Sequence, residues 1–388
     1  MVKISANYIF TGITPPIKNG VITLEDDGTI IHVSENDAEN MDNELIFYEG
    51  VICPGFINTH CHLELSYLYQ KIPQHTSLPN FIKEVVQFRN HASVNERLIS
   101  IKNAEEQMIK NGIVAVGDIS NGDSTFNLKS KNNLYYHTFL EVFEIDSFKA
   151  KETVTNAKKL QQNYFSPTQI SITPHAPYSV SKELLSLIVE ETPSILSIHN
   201  QETESENTLF KEKKGDLYEQ LLAFNSAIEN WNPTNKSSSQ SYLPYLNKAE
   251  HLLLVHNTYT SKKDIEFANA NFKHLFWCFC PNANLYIENN LPDFSLFENE
   301  ICTIGTDSLA SNHALSILDE LKTIALNSKT ISLEKMIAWA TINGAKFLNI
   351  EKQFGSLEKG KKPGINLIQN IDLQQQKLLP QSTVKKLF

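Results

Sequence analysis

The sequence predicts an α/β protein: a (β/α)8 barrel of the TIM type, with a small composite β-sandwich domain built from both termini. Three observations point there. Through the middle of the chain, short apolar runs alternate with amphipathic helical patterns. Both ends are strand-rich and too short to fold well alone. Histidines and an acid recur at the C-terminal ends of the apolar runs, the face on which barrel enzymes carry their active sites.

The first fifty residues hold strand-like runs at Asn7–Thr11, Gly20–Leu24, Ile30–Val33 and Leu45–Tyr48. Turn residues such as Pro15-Pro16 and Asp26-Asp27-Gly28 separate them. Near the other end, Lys361-Lys362-Pro363-Gly364 precedes the apolar run Ile365–Ile368. Residues 1–50 and 350–388 are therefore expected to pair into one β domain. Barrel strands are expected at Val51–Thr59, Ile113–Asp118, Leu134–Val142, Ile170–Pro174, Ile195–His199, Leu252–His256, Leu275–Cys280 and Ile301–Thr306. Helical patterns follow most of them, as at Leu78–Arg89, Ala150–Gln161, Ser181–Glu190, Ser261–Ala268 and Leu315–Leu326. Eight such units over residues 51–349 suit a closed barrel, with a doubly wound open sheet as the alternative. The Ser- and Asn-rich stretch Asn230–Ser241 reads as a surface excursion.

Composition narrows the function. Of 388 residues, 41% are hydrophobic and 20% charged, which excludes a wholly disordered chain. A net charge of −10 argues against a dedicated partner for nucleic acid or an anionic membrane. No apolar run approaches the roughly 18 residues of a membrane span. The start, MVKISANYIFTG, lacks the apolar core of a secretory signal. The 5 cysteines, Cys53, Cys61, Cys278, Cys280 and Cys302, are odd in number and form no CxxC pair. A disulfide framework is not expected, and a reducing cytoplasm is.

His60 and His62 end the first barrel strand. Two residues apart, they project to the same side, and Cys61 to the other. A pair of imidazoles at a barrel mouth chelates a metal. His175, His199 and His256 end later strands, and Asp307 ends the eighth. An open sheet would not bring its first and eighth strands together, whereas a barrel does. Asp307 follows a wholly apolar strand, a costly place for an acid unless it meets a cation. The bland alternative is a helix N-cap, for which Ser308 or Ser311 would also serve. Glu202, three residues past His199, either leans over the site or is a solvated loop carboxylate. His60, His62, His199 and Asp307 together offer three nitrogens and one oxygen, leaving a position for water. Bound to a metal, that water has a pKa near 7. The fourth strand, QISITPH, has no lysine to bridge a second metal, so one divalent ion is expected: zinc, with iron as the alternative.

The segments PGFINTHCHLELS, HNQETESE, LLLVHNTYTSKKDIE, CPNANLYI and GTDSLASNHALSILDEL resemble successive signatures of the amidohydrolase superfamily. Its cytosine-deaminase-like and chlorohydrolase-like aminohydrolases are the branch most similar, and the resemblance extends to WATINGAKFLNI and FGSLEKGKKPG. Pro363-Gly364 departs from the Ala-Asp pair usual after GKK. The resemblance implies one divalent metal on His60, His62, His199 and Asp307. It implies that Glu202 shuttles protons to the substrate ring, and that His256 hydrogen-bonds the nucleophile or the developing oxyanion. Asp307 is expected to accept the proton of water. His175, in TPHAPYSVS, is implied to contact substrate, and Asn282 or Asn284 to line the pocket.

The implied activity is hydrolytic release of ammonia from an aminated purine-like ring, by attack of metal-generated hydroxide. HLELSYL and NFIKEVVQFR are similar to aminodeoxyfutalosine deaminases, which act on an adenine-like base with an extended ribosyl group; adenosine-type nucleosides are the other option. In some nucleoside-acting relatives an acid after the first strand grips ribose, which makes Glu84 a candidate. Such relatives also place arginines near the site, and this chain has only Arg89 and Arg97. The same fold hydrolysing a cyclic amide or an s-triazine, or a non-catalytic binding barrel, are the rival readings. The expected partner is a small-molecule substrate; relatives are often homodimers, which by analogy makes a homodimer one option for this chain.

Overall fold

The structure, a computed structural model, describes residues 1–35, 45–89, 91–191, 195–224 and 226–388. Residues 36–44 of the expected terminal domain therefore lie outside the described residues. Phe56–Cys61, Ile113–Ser120, Tyr135–Val142 and Ile170–Pro174 form one parallel four-stranded sheet, in chain order. Ile195–Asn200, His251–His256, Leu275–Phe279 and Cys302–Ile304 form a second. We number these barrel strands one to eight.

Two seams join the half-barrels, and side chains do much of the joining. At the first seam, the carbonyl of His60 accepts the backbone N–H groups of Thr306 (3.0 Å) and Asp307 (3.1 Å). Beside it, the Thr59 hydroxyl donates to the carbonyl of Ile304 at 3.1 Å, and Asn58 donates to the Thr306 hydroxyl at 2.8 Å. At the second seam, the Ser171 hydroxyl donates to the carbonyl of Ile195 (2.8 Å). Thr173 donates to the carbonyl of Ser197 (2.6 Å) and accepts its N–H (2.9 Å). Hydroxyls replace backbone partners there, so the backbone groups of Ser197 and the carbonyl of Ile195 are satisfied without a regular ladder. The eight strands make a (β/α)8 barrel, as the sequence implied.

Alternation sorts the core. In strands six and seven, Leu252, Leu254, Trp277 and Phe279 join the large cluster shared with the surrounding helices. Their neighbours Leu253, Val255, Phe276 and Cys278 join another cluster with Ile57, Ala115, Ile119 and Phe139. A cluster drawing on strands one, two, three, six and seven can only lie inside the barrel. Phe347 belongs to it and stacks on Phe139 at 5.8 Å.

The expected helices are present with small shifts that their caps explain. Ser261 is the N-cap of Lys262–Asn271, not its first residue, and forms a capping box with Asp264. Ser316 is likewise the N-cap of Ile317–Asn327, its hydroxyl accepting the N–H of Asp319. Among the described residues no helix is long and apolar enough to cross a membrane.

The apolar run Val51–Thr59, expected as one strand, is two. Leu45–Pro54 pairs with Val2–Ile9 and with Ile365–Gln369 in the terminal sheet, whereas Phe56–Cys61 opens the barrel. The break falls at Gly55, where a Cβ would stand 2.4 Å from Val114 Cγ1 and 2.6 Å from the carbonyl of Pro363. Only glycine fits that approach. Hydrophobicity runs through the junction because the chain is buried on both sides of it. The atypical Pro363-Gly364 pair lies at this same joint, with the Gly55 N–H donating to the carbonyl of Gly364 (3.1 Å).

Strands from both termini share one continuous sheet of seven strands. It includes Val21–Leu24, Ile30–Ser34 and, beyond the sequence expectation, Thr383–Lys386. Its apolar residues, among them Ile4, Ile22, Ile52 and Leu367, form a cluster of their own.

The stretch Asn230–Ser241 is not a plain surface excursion. Ser238 and Ser239 are fully buried, and Ser237 caps the short helix Ser238–Tyr242. A polar-rich composition here reflects a buried hydrogen-bond network, since Ser239 donates to the side-chain oxygens of both Asn200 and Gln201 at 2.8 Å.

Replacing Thr173 with Val should leave the Ser197 N–H and carbonyl unpaired at the second seam. The expected loss is about 1–3 kcal/mol, read as a lower urea midpoint with an unchanged slope.

Candidate active site

The C-terminal strand ends gather the histidines. His60 and His62 complete strand one, and their Nε2 atoms lie 3.2 Å apart. His62 Nε2 is 3.3 Å from His199 Nε2, and Asp307 Oδ1 is 3.4 Å from His62 Nε2 and 3.7 Å from His60 Nε2. Metal–nitrogen bonds of about 2.0–2.1 Å arranged tetrahedrally put neighbouring donors about 3.3–3.4 Å apart. The edges from His62 to His60, His199 and Asp307 therefore have the lengths of a metal's coordination shell.

Protonation states agree. Burial pushes His62 down to about 3 and His199 well below the usual histidine range, and the other histidines add to it. Neutral imidazoles are the form that binds metal. Burial raises Asp307, but the neighbouring imidazoles of His60, His62 and His256 outweigh this and hold its carboxyl below the usual range. Asp307 is no helix cap, because the next helix begins at Ile317 under Ser316. Its second oxygen instead accepts from the Ser311 hydroxyl at 2.5 Å.

Partners on the far side set each ring. His199 Nδ1 faces the carbonyl of His175 at 2.7 Å. A carbonyl only accepts, so Nδ1 carries the proton and Nε2 presents its lone pair to the cluster. His256 Nδ1 is held by Asn284 Oδ1 at 2.8 Å, which likewise leaves Nε2 as the acceptor. That Nε2 is buried without a hydrogen-bond partner, and Glu202 Oε1 stands 3.6 Å away. Burial, reinforced by Asp307 and other nearby acids, pushes the Glu202 carboxyl well above its usual range. An acid that holds its proton beside an unprotonated imidazole is suited to proton transfer.

A cavity of about 470 Å³ opens over these groups and is lined by His62, His175, His199, Glu202, His256 and Asp307. Its remaining wall is mostly apolar. Leu78, Phe81, Ile82, Val85 and Val86 come from the helix Leu78–Phe88, and Leu217, Leu221 and Phe224 from the helix Asp216–Phe224.

Three expected substrate contacts are placed elsewhere. Glu84 falls outside the helical stripe 78, 81, 82, 85, 86 and 89 that faces the cavity. Asn282 turns away, giving its N–H (2.8 Å) and side-chain amide (3.1 Å) to Glu320. Asn284 is buried behind His256, with its side-chain oxygen against that ring. His175 does line the cavity, with its Nδ1 2.7 Å from the Ser179 hydroxyl.

The structure adds groups that the sequence reading missed. Asp118, at the end of strand two, accepts the N–H of Leu63 at 2.8 Å and so grips the chain just after His62. Lys129 pairs with it at 2.6 Å, both side chains being fully buried. An acid ending an apolar strand was the signal that singled out Asp307, and it would have found Asp118. Glu141, at the end of strand three, lines the cavity, and so does Arg89, one of the two arginines that the sequence offered.

Residues 51–388 match the amidohydrolase family. The chain belongs to that family. This amidohydrolase is 27% identical to the adenosine deaminase of Helicobacter pylori, over 83% of its own length and 79% of the relative's. It is 26% identical to the 5'-deoxyadenosine deaminase of Methanococcus vannielii, over 87% and 78%. The crystal structure of Helicobacter pylori aminofutalosine deaminase in complex with methylthio-coformycin superposes with a TM-score of 0.78, at 24% identity over 95% of this chain and 92% of that one. That likeness shows the barrel fold.

Substituting His60 by Ala should abolish stoichiometric metal in the purified amidohydrolase, as read by elemental analysis. Chelation of the wild-type protein should lower its melting temperature, and restoring zinc should recover it; full metal retention in the variant would remove His60 from the ligand set.

Proposed function

We propose that the protein is a hydrolytic deaminase releasing ammonia from an aminated purine-like ring carried by a nucleoside, with aminodeoxyfutalosine or an adenosine-type nucleoside as substrate. One observation carries this reading: the raised Glu202 carboxyl lies 3.6 Å from the unpaired Nε2 of His256, beside the His60–His62–His199 group and Asp307. The named deaminases among the relatives support it.

Those four residues would hold one divalent metal, which when bound lowers the pKa of a water to about 7. We take that metal to be zinc, which suits three imidazoles and one carboxylate. Asp307 receives a proton of the attacking water, and His256 Nε2 accepts a hydrogen bond from it. The tautomer set by Asn284 leaves Nε2 no hydrogen for an oxyanion, so the nucleophile is the partner. Glu202 gives its proton to the ring nitrogen next to the attacked carbon. The new C–O bond makes that carbon tetrahedral. Asp307 then passes its proton to the amine, and the C–N bond breaks to release ammonia. Glu202 recovers the hydroxyl proton as the ring carbonyl forms. His175 contacts the bound ring from the fourth strand. All five cysteines are buried free thiols, and we place the enzyme in the cytoplasm, where thiols stay reduced.

Glu202→Gln should lower kcat by about 10²–10⁴ while metal content stays at the wild-type level. Unchanged turnover would remove Glu202 from the mechanism. The activity itself is tested by ammonia release from adenosine, 5'-deoxyadenosine and aminodeoxyfutalosine, alongside an aminated s-triazine and a cyclic amide. Opening of the cyclic amide with no ammonia from any purine would replace the deaminase reading.

A further inference from the structure

Two polar groups in the cavity wall are left without partners by the protein itself. Glu141 is nine-tenths buried and lines the cavity. Its Oε2 accepts from Asn121 Nδ2 at 2.9 Å, but its Oε1 is buried with no hydrogen-bond partner. His199 Nδ1 lies 3.7 Å from Oε1, yet its proton already goes to the His175 carbonyl at 2.7 Å. Gln220, from the helix Asp216–Phe224, lines the same cavity, and both its Nε2 and its Oε1 are buried without a partner. Buried polar atoms in a folded protein are almost always paired, and those left over call for a ligand. In an otherwise apolar pocket, a few such groups set the orientation of what binds.

We propose that Glu141 and Gln220 bind the hydroxyl-bearing sugar attached to the reacting ring, and so make the enzyme selective for ribonucleosides over their deoxy analogues. The inference rests on the deaminase reading. Glu141 Oε1 can accept from a hydroxyl, and the primary amide of Gln220 both gives and takes a hydrogen bond, so each suits a sugar hydroxyl. An apolar or bare ring ligand would leave all three atoms unpaired. The two residues reach the pocket from opposite parts of the chain: Glu141 ends the third strand, and Gln220 belongs to the segment between strands five and six. Glu84, which sequence nominated for the sugar, does not line this cavity.

The test compares adenosine with 2',3'-dideoxyadenosine in the wild-type enzyme, Glu141→Ala, Glu141→Gln and Gln220→Ala. Both kcat/KM for ammonia release and calorimetric Kd are measured, with melting curves to confirm folding. Wild type should prefer adenosine by at least about tenfold, since a site built for a hydroxyl rejects the analogue lacking it. Glu141→Ala should bring the two substrates within about threefold, and Gln220→Ala should cut the preference by at least about threefold. If Glu141→Ala does not fold, Glu141→Gln and Gln220→Ala carry the comparison. Ammonia release from adenosine without any wild-type preference overturns the inference and leaves the deaminase reading intact. A preference unchanged in the folded variants overturns it as well. If aminodeoxyfutalosine reacts and adenosine does not, it and its 2',3'-dideoxy analogue are compared in the same variants; ammonia from none of adenosine, 5'-deoxyadenosine and aminodeoxyfutalosine removes the deaminase reading, and the inference falls with it.

Discussion

His60 ties the closure of the barrel to its chemistry. Its carbonyl accepts the N–H groups of Thr306 and Asp307, which joins the first strand to the last. Its imidazole stands in the cluster with His62 and His199. Space around it is tight enough that Gly305 must be glycine, since a Cβ there would meet His60 Cβ at 2.8 Å and Cys280 Sγ at 2.9 Å. The distances among the donor atoms thus follow from how the strands close, and a loop could not hold them so firmly. Asp118, anchored by buried Lys129, extends the same control to the residue after His62.

Holding these groups has a conformational cost. Gln201, His256, Asn257 and Asp307 all have positive φ, at 46°, 76°, 59° and 56°, in a region that side chains other than glycine disfavour. Such strain persists where surrounding structure over-determines it. Here the restraint is a buried polar network. Asn257 donates to the carbonyls of Leu254 (2.8 Å) and Cys278 (3.0 Å), and its side-chain oxygen accepts from Asn200 (3.0 Å). Asn200 in turn accepts from Ser239 and Tyr242. The polar stretch around Ser237–Ser241 keeps its composition because it serves this network from inside the protein.

Much of the site could be read in the chain because short-range geometry governs it. The two-residue period of a strand sends His60 and His62 to one side, and the end of an apolar strand marks His199, His256 and Asp307. Where the reading failed, the deciding contact was remote. Asn282 and Asn284 share a motif, but Glu320, 38 residues beyond Asn282, and His256 on another strand hold them where neither lines the cavity. Glu84 lay within the right helix, but on a face that the stripe from Leu78 to Arg89 leaves out.

By itself the sequence determined the fold class, the family signatures and the identity of the metal-capable side chains, because periodicity and residue chemistry are local properties. Only the tertiary structure decided where the first barrel strand begins, which protons the imidazoles of His199 and His256 carry, and which polar groups of the cavity stand unpaired. Each of these depends on an atom supplied by a distant segment: the Pro363 carbonyl against Gly55, the His175 carbonyl and Asn284 behind the rings, and the missing partners of Glu141 and Gln220. No pattern along one stretch of chain encodes such a meeting, because it arises when the barrel closes.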